Sequence, residues 1–145
     1  MGSHLDGLSM VDVGGHATRV LDVGVGDPVV LLHGWGGRIE SMAPVARCLE
    51  DSVRVLALDL PGFGESPAPT EVWGSPEYGV FVARLLRDRG IERAHMVGHS
   101  FGAKTALQIA ASRPQLVDRL VIVGASGLRT APSWRARAKR ALSRG

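Results

Sequence analysis

Cysteine is almost missing from this chain: Cys48 is the only one in 145 residues. A lone cysteine closes no internal disulfide, so burial has to hold the fold together, and such usage suits a reducing cytoplasm. No run approaches the ~20 consecutive apolar residues that a membrane-spanning helix needs. The opening Met1-Gly2-Ser3-His4 has neither the basic nor the apolar part of a secretory signal, and residues 1–7 read as an extension or a cloning scar. No His, Cys and Asp cluster has metal-ligand spacing, so no metal is expected. His33–Gly37 lacks the lysine and hydroxyl residue of a phosphate-binding loop, and Gly24-Val25-Gly26-Asp27 lacks the third glycine of a dinucleotide fingerprint. No cofactor is expected. Repeats and low-complexity tracts are absent as well.

Acid is missing from one place in particular. The net charge is +3, yet residues 129–145 hold six cations (Arg129, Arg135, Arg137, Lys139, Arg140 and Arg144) and no acid. Without them the balance turns negative. The high pI therefore belongs to the C-terminal segment rather than to the domain. No aromatic interleaving accompanies those charges, so a solvated helix face is expected there and nucleic acid is not.

What remains alternates short apolar strands with helices. Leu8–Val13 and Thr18–Val23 flank Gly14-Gly15 as a hairpin. Val29–Leu32, Val53–Leu58, Ala94–Val97 and Leu120–Val123 are short and wholly or largely apolar, as strands covered on both faces are. Between them, a helix capped by Ser41 runs to about Glu50. Another, opened by Ser75-Pro76-Glu77, runs to about Arg89 and stops at Gly90. A third spans Phe101–Ser112 before Arg113-Pro114. The pattern predicts one α/β domain over 8–127, a mostly parallel open sheet with helices on both faces. A basic helical tail would follow over 128–145.

Three segments fall at the C-terminal ends of predicted parallel strands, where open α/β sheets place their sites. They are His33-Gly34-Trp35-Gly36, Asp59-Leu60-Pro61-Gly62-Phe63-Gly64 and Gly98-His99-Ser100-Phe101-Gly102. The last is a G-x-S-x-G pentapeptide between a strand and a helix. In that setting the serine sits on a sharp turn with its hydroxyl held clear of the sheet, near the positive end of the following helix. Gly98 and Gly102 carry no Cβ to collide with the neighbouring strand and helix.

In order and spacing these motifs resemble the N-terminal half of the α/β-hydrolase family, from about Val11 to about Leu128. The resemblance implies a fold truncated after about six strands and a role for each residue. Ser100 would be the nucleophile. The backbone N–H groups of Trp35 and Phe101 would form the oxyanion hole, and Gly34, Gly36 and Gly37 would let the first of those loops turn its amides inward. His33 and His99 occupy positions resembling the family's structural histidines. Asp59 would stabilise its loop, while Lys104 reads as a solvated or capping cation.

The family's triad runs serine, acid, histidine. After Val123 this sequence has no acid, and beyond His99 it has no histidine. The leading expectation is a hydrolase of carboxylic esters or related acyl compounds working through a Ser100 acyl-enzyme, with triad acid and histidine missing from this chain. Serine rather than aspartate at position 100 argues against the epoxide-hydrolase and haloalkane-dehalogenase branches. Carbon–carbon bond hydrolases and thioesterases share the serine. The alternative is a catalytically degenerate domain that binds a ligand or a protein. A small-molecule acyl partner is expected, and self-association through an open edge at Leu120–Val123 is a further expectation.

Overall fold

The computed structural model describes residues 6–124. The basic tail and the chain beyond Gly124 therefore lie outside the described residues, as do residues 1–5 of the N-terminal extension. Six strands form one sheet in the order β1-β2-β4-β3-β5-β6. They are β1 (Leu8–Val13), β2 (His16–Val23), β3 (Pro28–Leu32), β4 (Arg54–Leu58), β5 (Ala94–His99) and β6 (Val117–Val123). The first two pair antiparallel as a hairpin, and β2 also runs antiparallel to β4. From β4 onward every pairing is parallel. The expected mostly parallel α/β sheet is what forms.

Helix α1 (Ile39–Leu49) covers one face; α2 (Ser75–Asp88) and α3 (Phe101–Ser112) cover the other. Alternation along the strands divides the core between the two layers. Val29, Leu31, Val55 and Ala57 meet Ile39, Met42 and Ala46 of α1. Val30, Leu32, Leu56, Leu58 and Met96 meet the α2 stripe of Phe81, Val82, Leu85 and Leu86, and Ala106 and Ile109 of α3. Each of the larger side chains contributes about 1.5–3 kcal/mol by leaving water, the alanines less.

Helix starts differ from expectation by a few residues. Ser41 is not the cap of α1; it lies at the third helical position, where its hydroxyl accepts the Arg38 N–H at 3.1 Å. Ser75 is already helical, and the Glu77 carboxylate accepts the Gly74 N–H at 2.7 Å. In both, a side chain inside the first turn reaches back to an amide before it. Strand β6 begins at Val117 rather than Leu120, because Asp118 and Arg119 are exposed on an outer strand and interrupt no core.

Candidate active site

No linker separates β5 from α3: the strand ends at His99, the helix begins at Phe101, and Ser100 alone makes the bend. Its φ of 53° and ψ of −112° make it the only non-glycine with positive φ among the described residues. Such a conformation costs about 1–3 kcal/mol and persists only where neighbours enforce it. Here the Ser100 N–H donates to the Val123 carbonyl at 2.9 Å, and the Ser100 carbonyl accepts the Lys104 N–H at 3.1 Å.

Close packing explains the flanking glycines. A Cβ at position 98 would lie 2.6 Å from the backbone of Ala103, and one at position 102 would run into the carbonyl oxygens of Leu32 and His33. Gly98 thus admits the departing helix, and Gly102 seats that helix on β3. The side chain of Ser100 is half-buried and has no hydrogen-bond partner among the described residues.

Beside it lies the loop after β3. The Gly37 N–H donates to the Gly34 carbonyl at 2.9 Å, closing a turn whose third residue, Gly36, has φ +74°. A positive φ at that position calls for glycine. A Cβ at Gly34 would stand 3.0 Å from His99 Nδ1 and 3.3 Å from Ser100 Cβ, so this loop rests directly on the serine. The N–H of Trp35 donates to no acceptor among the described residues, nor does that of Phe101. Phe101 opens α3, so its amide belongs to the unsatisfied, partly positive first turn of a helix.

Aromatic rings border the same spot. Trp35, 71% exposed, meets Phe63 and Phe101 edge-on at centroid distances of 5.0 and 5.4 Å. Tyr78 stands 5.3 Å from Phe101 and its hydroxyl donates to the Pro61 carbonyl at 2.7 Å. Burial pushes that phenol's pKa up.

His33 is fully buried and both of its nitrogens are occupied. Nδ1–H donates to the Gly34 carbonyl at 2.7 Å, and Nε2 accepts the Leu60 N–H at 3.0 Å. Only the neutral ring protonated at Nδ1 satisfies both. Burial holds its pKa below the usual histidine value, against the opposing pull of the Gly34 carbonyl and of Asp59. Asp59 is equally engaged. One oxygen accepts the Ile39 N–H at 2.7 Å; the other accepts the Glu65 N–H at 2.9 Å and faces the Arg19 guanidinium at 3.4 Å. Both residues tie loops together. The side chains of His99 and Lys104 are exposed.

Arg19 is the residue that sequence reasoning missed. From β2 it pairs with Glu40 at 2.6 Å and reaches Asp59 and Glu65 at 3.4 Å. Its backbone N–H donates to Ser66 Oγ at 3.0 Å and its carbonyl accepts the Asp59 N–H at 3.0 Å. The hydrogen bond with Glu40 raises the arginine's pKa and lowers that of the glutamate. No local pattern marks it, since its partners lie 21 to 47 residues away. Among the described residues no group of three or more His, Cys, Asp or Glu is placed to hold a metal ion.

A family model described as "alpha/beta hydrolase fold" matches residues 27–144, and the chain belongs to that family. It is 37% identical over 119 residues to a dihydrolipoyllysine-residue acetyltransferase component of an acetoin cleaving system from Pseudomonas putida, covering 81% of this chain and 32% of that protein. An sn-1-specific diacylglycerol lipase from Xenopus laevis is 36% identical over 127 residues, covering 81% of this chain and 40% of the lipase. A meta-cleavage product hydrolase of Pseudomonas fluorescens superposes with a TM-score of 0.79 at 31% identity, over 84% of this chain and 46% of that one. The chain thus spans less than half the length of each of these relatives. Two of the three are hydrolases by name.

Proposed function

We propose that Ser100 is the nucleophile of a hydrolase of carboxylic esters or related acyl compounds. One observation carries this reading: a serine held at positive φ between a strand and a helix, beside two amides without acceptors. Attack of the hydroxyl oxygen on an acyl carbonyl forms a tetrahedral oxyanion, and the N–H groups of Trp35 and Phe101 are the donors assigned to it. Collapse expels the leaving group and leaves an acyl-enzyme, which water then opens to regenerate the serine. The aromatic wall of exposed Trp35 with half-buried Phe63 and Phe101 supports an apolar substituent on the substrate.

A general base must accept the Ser100 proton. His33 is unsuited, because both of its nitrogens are spent on backbone groups. The sequence has no histidine beyond His99 and no acid after residue 123. Catalysis by this chain alone is therefore proposed to be feeble, limited to what the oxyanion donors and binding supply. The Ser100 hydroxyl has no partner among the described residues, which favours a second reading, a hydrolase-like domain that binds a ligand or a partner protein without turning it over. A fluorophosphonate probe followed by mass spectrometry separates the two. Labelling at Ser100, lost in Ser100→Ala, supports the hydrolase. No labelling, even after a matched C-terminal half from a relative is added, supports the binder.

No helix among the described residues is long and apolar enough to cross a membrane, and a cytoplasmic location remains part of the proposal. So does self-association. Val121 and Val123 of β6, at one end of the described sheet, are each about half exposed. Sedimentation that returns a monomer at high concentration overturns it.

A further inference from the structure

A sizeable cavity among the described residues lies away from Ser100. It has a volume of about 600 Å³ and lies between the second half of α2, the turn into β5 and the connection from α3 to β6. Of the residues that line it, Ile91 stands shortly before the N-terminal end of β5 and Leu116 immediately before that of β6, whereas Ser100 follows the C-terminal end of β5. A six-residue strand of about 20 Å separates the two places. Ile91 and Leu116 supply an apolar floor, and the lining includes Arg84, Arg87 and Arg113 against one acid, Glu92, with the Arg84 side chain also lying beside Gly14 of the hairpin turn.

Two of those arginines lack a carboxylate partner, as Arg47 and Arg119 elsewhere also do among the described residues. Arg19, Arg54, Arg89 and Arg93 each meet a carboxylate, at 2.6, 2.8, 3.7 and 3.2 Å. Arg87 and Arg113 meet none among the described residues; Arg113 has only the Ser112 hydroxyl, at 3.3 Å. Arg84 reaches Asp88 at 3.9 Å, the long limit of an ion pair. Arg87 and Arg113 also stand near helix C-termini, where a cation is favoured without any ligand. That effect accounts for single charges at helix ends. It does not account for two cations without carboxylate partners lining the same apolar-floored hollow of ligand size.

We propose that this cavity binds a small amphiphilic anion, with a phosphate or carboxylate head held by Arg87 and Arg113 and a short apolar body over Ile91 and Leu116. Guanidinium forks match both oxyanions, and the floor rewards an apolar body that the free ion lacks. The site is independent of the reaction assigned to Ser100.

The test is an NMR titration of the isotope-labelled chain with phenyl phosphate, benzoate, inorganic phosphate and phenol. Saturable shifts confined to residues around Ile91 and Leu116, with phenyl phosphate or benzoate binding about tenfold more tightly than inorganic phosphate and phenol not binding, support the proposal. The stronger of the first two identifies the head group. Arg87→Gln and Arg113→Gln should each weaken that binding by about tenfold while the spectrum stays folded. Two results overturn it: equal weak binding of all anions, unchanged in the variants, or variants that lower thermal stability and leave ligand shifts unaltered. The second outcome would make the arginines helix-end counter-charges and nothing more.

Discussion

Asp59 and Ser100 both stand one residue beyond a parallel strand, at the same end of the sheet, and their polar atoms meet opposite fates. The carboxylate of Asp59 is fully buried and accepts from Ile39, Glu65 and Arg19. The hydroxyl of Ser100 is half-buried and bonds to nothing described, beside two amides equally without acceptors. Buried polar groups that are fully paired hold structure, because unpairing them is costly. Polar groups left open at a strained bend are available to a ligand. A titratable residue in a motif is thus weighed by what its atoms are already doing.

Substitutions can break that contrast. Asp59→Ala should destabilise the fold most, by about 3–5 kcal/mol, since it strips the partner from the buried Ile39 amide, the part-buried Glu65 amide and Arg19. Urea denaturation that moves by less than about 1 kcal/mol would remove Asp59 from the structural side of the comparison. Gly102→Ala should cost about 1–3 kcal/mol by the same assay, as its methyl meets the Leu32 and His33 carbonyls. Ser100→Gly should do the reverse and gain up to about 1 kcal/mol by releasing the positive φ, while abolishing fluorophosphonate labelling. A serine variant that loses stability would show the hydroxyl to be structural.

The finest test is pH. His33 has a depressed pKa in the fold, so the folded state binds fewer protons than the unfolded chain between the two values. Its contribution is present above the unfolded value of about 6.5 and is lost as pH falls through the folded one. Stability should decline on acidification through that window, and the His33 ring signal in NMR should titrate below the ordinary histidine value. A ring that titrates at or above it contradicts the neutral, doubly bonded state.

Much of the site could be read from sequence because it is local. Strand, bend and helix around Ser100 form one continuous stretch from Ala94 to Ser112, and the glycines announce their own close contacts. The hairpin and the three helices were legible from periodicity and punctuation for the same reason. What sequence did not reveal is long-range. The placement of β4 between β2 and β3 depends on pairing across tens of residues. So does the bond from His33 to Leu60, 27 positions on. Helix caps were misplaced because Ser41 and Ser75 are good N-cap residues standing one to three places inside the true start.

Arg19 gives the hairpin a second duty. From β2 it touches the first turn of α1 through Glu40 and both ends of the loop over 59–66, through Asp59, Glu65 and Ser66. That loop in turn gives His33 its Leu60 amide, and His33 braces the backbone next to Trp35. Clipping the first two dozen residues would thus remove no part of the serine bend, yet would unseat the loop that carries one of its two amides. Proteolysis at the front of the chain should silence the probe signal eighty residues downstream.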